Sequence, residues 1–262
     1  MTDIPLLAER AAALLDAHHN RRPLVLPTVW DAWSARAMVS AGFSALTVGS
    51  HPLANSLGAE DGEAMSLEEA LEGIDRITAS VDVPVSADLE SGYDTPAPEL
   101  IAGLLAAGAV GVNIEDTVHS QQRLRTAEEH AEYISDLRRA ADAQRVHVVI
   151  NARTDVFKHA DEFADPTAEV VRRLNLCAEA GADCVYPVAM PTTDDLRTVL
   201  SQVSLPLNVT AHPLAGAIPE GLDLNALREL GVSRVTFGPL LQAALQQDFA
   251  EFTTNWHDVS SH

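Results

Sequence analysis

The chain has 262 residues, 47% of them hydrophobic and 21% charged, a balance that suits a single α/β domain and is too apolar for a disordered chain. A formal net charge of −21 excludes nucleic acid and anionic membrane as partners, because phosphates would be repelled and the arginine pairs at 21–22, 138–139 and 172–173 form no basic patch. Two cysteines, Cys177 and Cys184, exclude a disulfide scaffold, and no CxxC pair or metal-type cluster is present.

Residues 1–20 read as an amphipathic acidic helix rather than a secretory leader, and no apolar run reaches the length of a membrane span, so a cytoplasmic location is expected. Short apolar, β-branched runs then alternate with helix-like segments. Strands are predicted at Leu24–Pro27, Ala45–Val48, Val83–Ala87, Gly111–Ile114, Val146–Ile150, Cys184–Pro187, Leu207–Val209 and Arg234–Phe237. Ser66 with Glu68 and Glu69, and Thr126 with Glu128 and Glu129, open two of the intervening helices with acids at the positive end. Glycines in AGF (41–43), AGAVG (107–111), AGADC (180–184) and LGVSR (230–234) stop four helices just before a strand. Eight β/α units predict one closed (β/α)8 TIM-type barrel over 1–262, with 240–252 as its last helix. The alternative, an open doubly wound sheet, lacks a GxGxxG turn after its first strand. The longest irregular stretches, 49–64, 115–125 and 211–221, follow strands at one end and are expected to be substrate loops and lids.

Three apolar runs pass straight into charged residues: VDVPVSADLESGYD (81–94), GAVGVNIEDTVHS (108–120) and VHVVINARTDVF (146–157). As parallel strands they collect Asp88, Glu90, Glu115, Asp116, Arg153 and Asp155 at one face, where the active site is expected. Gathered carboxylates repel unless something positive lies among them, and Mg²⁺ with retained waters is the economical solution. Any one of these acids taken alone would as readily cap a helix or pair with Arg153. The Arg153 guanidinium suits bidentate binding of a substrate carboxylate or phosphonate, and an ion pair with Glu115 or Asp155 is its other reading. Ser50 and His51, after the second strand, can present hydroxyl, imidazole and backbone N–H groups to a carboxylate. Asn208, on the seventh strand, completes the substrate-binding set. His119, Gln121, Gln122 and Arg123 form a polar loop that either closes over a charged substrate or is merely solvated. Cys177 and Cys184 lie away from the catalytic end, and the chain holds no GxSxG elbow, HExxH helix or P-loop.

The segments VWDAWSARAM, SLGAEDGE, VSADLESGYD, GVNIEDT, INARTD and LGVSRVTFGP, in this order across residues 24–240, resemble the signatures of the isocitrate lyase/phosphoenolpyruvate mutase superfamily. The resemblance implies a Mg²⁺-dependent barrel, with Mn²⁺ as the substitute ion, acting on small 2-oxo or 2-hydroxy (di)carboxylic acids. It implies cleavage or formation of C–C or P–C bonds through a metal-stabilised pyruvate enolate. Carried over by motif, Asp88 is the principal metal ligand, and Asp61, Glu90 and Glu115 act largely through metal-bound water. The Ser50–His51 loop holds the carboxylate, and Arg153 neutralises developing charge. Two departures matter. Isocitrate-type lyases carry a KKCGH-type loop with a catalytic cysteine, where this chain reads EDTVHSQQRLR. Phosphonomutases carry a lysine-threonine-asparagine lid and a histidine on the sixth strand, where this chain has SQQR and Tyr186-Pro187. The expected activity is therefore C–C cleavage without a catalytic cysteine, oxaloacetate decarboxylase-like or substituted-malate lyase-like. Glu115, Arg153 and His119 are its catalytic candidates, with His119 or water as proton donor. The alternatives are P–C chemistry on phosphonopyruvate-like substrates and a catalytically silent carboxylate-binding barrel. Only one helix follows the eighth strand, so a homo-oligomer, a dimer, is expected without the helix exchange common in the superfamily.

Overall fold

The computed structural model describes residues 3–256; residues 1–2 and 257–262, the ends of the predicted domain, lie outside the described residues. Proline at position 27 has no amide hydrogen to give a ladder, and the first strand is split around it into two pieces that serve two neighbours. Leu24–Leu26 runs parallel to Arg234–Thr236, while Thr28–Val29 runs parallel to Leu46–Val48. This double pairing closes the sheet on itself.

With the split strand counted as β1, the ring continues through β2 (Leu46–Val48), β3 (Val85–Asp88), β4 (Gly111–Ile114), β5 (Val149–Thr154), β6 (Cys184–Pro187), β7 (Asn208–His212) and β8 (Arg234–Thr236). All neighbours are parallel; β6 meets β7 through a bridge between Val185 and Leu207, and β8 lies between β7 and β1. The chain is a (β/α)8 barrel, as the alternation predicts. Around it run α1 (Ile4–Ala17), α2 (Ala32–Ser40), α3 (Ser50–Leu57), α4 (Leu67–Thr78), α5 (Ala97–Ala106), α6 (Ala127–Ala143), α7 (Pro166–Glu179), α8 (Thr193–Gln202), α9 (Leu224–Leu230) and α10 (Leu240–Thr253).

The predicted helix ends have a local cause. At the start of α4 the Ser66 Oγ accepts from Glu69 N at 3.2 Å, and the Glu69 carboxylate accepts from Ser66 N at 2.9 Å. Thr126 and Glu129 make the same reciprocal pair at 3.1 and 2.7 Å to open α6. Each box satisfies two amides that the first helical turn cannot, a contribution of about 1 kcal/mol. Gly42, Gly108, Gly181 and Gly231 take φ values of 98°, 78°, 100° and 93°, a region glycine enters without a Cβ penalty.

Two expectations on element bounds are corrected. The stretch 49–64, read as irregular, contains α3: Pro52 sits in its first turn, where a missing N–H costs nothing, and Gly49 supplies the extended N-cap. Strands β3, β5 and β7 also run past the apolar residues that predicted them, to Asp88, Thr154 and His212. The reason is that the inside of the ring is polar. On β4 and β5, Val112, Ile114, Ile150 and Ala152 are fully buried in the layer shared with the helices, whereas Asn113 and Asn151 bond to one another at 2.9 Å. Arg153 is thus inside a strand rather than beyond one. The apolar core lies between ring and helices, one cluster including Leu46, Ile74, Leu100 and Ile134 and a second including Val170, Leu196, Leu227 and Val235. Burying each such aliphatic side chain contributes about 1.5–3 kcal/mol.

Candidate active site

A cavity of about 320 Å³ opens among the strand ends and descends into the ring. Ser50, His51, Asp61, Asp88, Arg153 and Asn208 all line it. Asp88 ends β3, and its Oδ1 accepts from Asn113 Nδ2 at 2.9 Å and from Glu90 N at 3.2 Å. Ser50 Oγ, in the first turn of α3, donates to Asp88 Oδ2 at 3.4 Å. Burial pushes the Asp88 carboxyl above its ordinary value; Arg153 and the Asn113 bond oppose that rise, and Asp61 adds to it. His51 Nδ1 lies 3.4 Å from Asp61 Oδ2 in a half-exposed pair at the mouth.

Arg153 is held from three sides. Nη1 lies 2.6 Å from Glu115 Oε2 and 3.8 Å from Asp88 Oδ2, while Nε and Nη2 donate to the two Asp155 oxygens at 2.7 and 2.9 Å. Burial alone would lower the Arg153 pKa, but the surrounding carboxylates overcome it and keep the guanidinium charged. Asp155 also accepts from Thr117 Oγ1 at 3.0 Å and Lys158 Nζ at 2.9 Å. Of the two alternatives for Arg153 the ion pair is the one seen, each nitrogen facing Asp155 or Glu115, while the side chain also lines the cavity.

Glu90, Glu115 and His119 gather beside this cavity without lining it. His119 Nε2 is 2.7 Å from Glu115 Oε1 and 3.5 Å from Glu90 Oε2, and the imidazole lines a second cavity of about 350 Å³ with Gly62, Glu63 and Tyr93. The Glu115 hydrogen bond is the main cause of a raised His119 pKa. Glu90 is pushed up to about 8, first by burial and then by Asp61, Asp88 and Glu115. Asp116 turns away from both cavities. Fully buried, it accepts from Thr154 Oγ1 at 2.6 Å, Asp155 N at 2.8 Å and Arg173 Nη1 at 2.9 Å, clamping the ends of β4 and β5 to α7. Cys177 lies in α7 and Cys184 opens β6; both are buried, with burial pushing each thiol up to about 12.

Several functional positions escape a reading of strand ends alone. Glu63, from the 49–64 stretch, accepts from Ser91 Oγ at 2.6 Å and Tyr93 N at 2.8 Å, and its own N–H donates to Glu90 Oε2 at 2.7 Å. It fastens that stretch to the turn after β3, where Gly92 has φ 98° and a Cβ would collide with the Tyr133 hydroxyl. Asn113, Asn151, Lys158, Tyr186, Thr210 and Arg234 also line the cavity that holds Asp88. Their signal was present: polar residues two apart inside apolar runs, as in VNIE and INAR, share one face of a strand.

The donor set suits a hard divalent cation. Asp61, Asp88, Glu90 and Glu115 are oxygen donors; burial first and neighbouring acids second raise the pKa values of Asp88, Glu90 and Glu115, and a positive charge among them would oppose that rise. Among the described residues no three His, Cys, Asp or Glu side chains form a ready-made cage. Asp88 would hold a Mg²⁺ ion there, with Asp61, Glu90 and Glu115 as further oxygen donors nearby.

The sequence profile of the family described as phosphoenolpyruvate phosphomutase matches residues 14–256. A Burkholderia cenocepacia J2315 protein provisionally assigned as a phosphonomutase superposes with a TM-score of 0.85 at 35% identity, covering 94% of this chain and 99% of that one. An uncharacterized protein of Mycobacterium tuberculosis H37Rv is 31% identical over 87% of this chain and 83% of its own length. Oxaloacetate decarboxylase 1 of Pseudomonas fluorescens Pf0-1 is 28% identical over 80% of this chain and 71% of its own.

Proposed function

Because the chain belongs to the phosphoenolpyruvate phosphomutase family, whose members are carbon–carbon lyases and mutases, we propose that it is a Mg²⁺-dependent lyase of a small 2-oxo or 2-hydroxy (di)carboxylic acid. The observation that carries this reading is one cavity in which Asp88, Arg153, Ser50 and Asn208 face a common space. Asp88 would hold the Mg²⁺ ion, which would supply electrophilic stabilisation of negative charge on the substrate oxygen during C–C cleavage.

The chain's own residues do the rest. Ser50 and the first-turn amides of α3 orient a carboxylate at the mouth. Asn208, 1% exposed, donates to Thr236 Oγ1 at 3.2 Å and keeps its amide oxygen for the substrate. Arg153, fixed by Glu115 and Asp155, presents a rigid positive charge that needs no reorganisation during the reaction. His119 holds a proton at the imidazole because Glu115 accepts from it, and we assign this proton to the product carbon once the loop after β4 closes over the substrate, since the imidazole here lines the neighbouring cavity. His119→Ala is expected to lower turnover by about a hundredfold or more. Unchanged turnover on the true substrate would remove His119 from the mechanism and leave water as the donor.

C–C cleavage is preferred to P–C chemistry because the loop after β4 lacks the lysine-threonine-asparagine lid and β6 offers Tyr186, bonded to Thr210, in place of histidine. The provisional assignment of the Burkholderia protein favours the second reading, a phosphonopyruvate mutase or hydrolase. With Mg²⁺, pyruvate formation from oxaloacetate and substituted malates, and loss of phosphonopyruvate followed by phosphorus NMR, separate the two. Pyruvate is expected from an acid of the first two kinds. Phosphonopyruvate alone being turned over favours the second reading, and silence across the set favours a carboxylate-binding barrel. We also read the protein as a homo-oligomer, a dimer, in the cytoplasm: Phe249 and Phe252 on α10 are 57% and 72% exposed, an apolar face that a second copy would cover.

A further inference from the structure

Arg234 opens β8, and it is 1% exposed inside the ring. Its Nη2 reaches Ser86 Oγ on β3 only at 3.5 Å, and its Nε and Nη1 have no hydrogen-bond partner among the described residues. The other deeply buried arginines are matched by acids, Arg153 by Glu115 and Asp155, and Arg173 by Asp116 and Glu169. Among the described residues no carboxylate forms an ion pair with Arg234. His18, at the end of α1, brings no counter-charge: its pKa is lowered to about 3, first by burial and then by Arg234 itself. A buried guanidinium without an anion is an expensive arrangement unless something arrives to complete it.

The cavity that carries Ser50 and Asp88 also reaches Arg234. Asn151 Oδ1 and Asn208 Oδ1, on side chains lining the same cavity, likewise have no partner among the described residues. Unused donors and unused acceptors together match a ligand end that accepts from a guanidinium and donates to an amide, as a carboxylate beside a hydroxyl does. Arg153 is already committed at each nitrogen to Asp155 or Glu115. We propose that Arg234 is the anion-binding floor of the cavity and takes the second carboxylate of a small dicarboxylic 2-oxo or 2-hydroxy acid whose first carboxylate is held at the mouth. The inference rests on the acid-lyase reading above and narrows it to dicarboxylates.

The test is calorimetric titration of the full-length, Mg²⁺-loaded protein with malate and with lactate, 2-hydroxy acids that differ in the second carboxylate. The wild type is expected to bind malate at least about tenfold more tightly, Arg234→Met to lose that preference, and Arg234→Lys, which keeps the charge but not the planar fork, to recover part of it. Circular dichroism establishes that the variants are folded. An Arg234→Met protein that keeps the preference, or a wild type with none, overturns the assignment and leaves the lyase reading standing. A wild type that binds neither acid overturns both. Should Arg234→Met fail to fold, a crystal of the wild type grown with malate decides: a carboxylate within hydrogen-bond reach of Nε or Nη1 is expected there, and water alone overturns the proposal.

Discussion

Asp88→Asn is expected to lower turnover at least about a thousandfold and to abolish the Mg²⁺-induced rise in melting temperature, while the metal-free barrel melts no lower than the wild type. The three outcomes have one cause. Asp88 is the acid at which β3 opens into the cavity, and its Oδ1 accepts from Asn113 and from the Glu90 amide. An asparagine keeps an oxygen for those bonds, so the local geometry survives. What disappears is the negative charge that burial and Asp61 make costly in the metal-free protein. Removing that charge relieves the folded state and removes the reason for a cation to bind. Activity is read as pyruvate release, and metal binding as the shift in melting temperature on adding Mg²⁺. A variant that retains a tenth of wild-type turnover would show that Asp88 is not the principal ligand.

The second large effect concerns stability. Arg153→Met leaves Glu115 and Asp155, both 3% exposed at the side chain, without their nearest cation, and uncompensated buried charge of this kind costs about 3–5 kcal/mol. The pH dependence identifies the mechanism. Burial alone would raise the Asp155 pKa, but Arg153 and then Lys158 bring it down to about 2. Its folded value is therefore below the unfolded one, near 3.9. The stabilisation from Asp155, on the order of 2 kcal/mol, is fully present above about pH 4 and is lost as pH falls toward 2. Without Arg153 the depression shrinks. The gap between wild type and variant is accordingly widest at neutral pH and narrows on acidification, as urea unfolding between pH 2 and 7 will show. A gap that stays constant across that range would mean lost packing rather than lost charge.

The same residues show how far the chain can be read without its fold. The eight strand runs, the capping boxes at Ser66 and Thr126 and the stop glycines at 42, 108, 181 and 231 depend on interactions within a few residues. The boxes and glycines stand where the sequence places them, and each strand overlaps its predicted run, most with shifted ends and most of all β5, expected at 146–150 and formed by Val149–Thr154. The order of the strands around a parallel ring follows from those repeats. The gathering of Asp88 and Arg153 follows in turn, because both belong to strands that enter one face. Side-chain direction within that face is a different matter. Asp116 and Glu115 are adjacent in sequence, yet one is sealed beneath α7 by Arg173 and the other meets Arg153 and His119. Residues consecutive along a strand point to opposite sides, and at a strand end the neighbours that receive them come from distant segments.

By itself, then, the sequence determined the barrel, its helix ends and the placing of Asp88 at its mouth, because period, capping and composition are local. Only the tertiary structure decided that the ring is polar inside, that Arg153 is committed to Glu115 and Asp155, that His119 lies against a neighbouring cavity and that Arg234 is buried without an acid. The physical reason is closure. Pairing both pieces of β1 with β8 and β2 folds the inward faces of all eight strands onto one another, and an inward residue's partners then come from strands distant in sequence, as with Arg234 and Ser86, 148 residues apart.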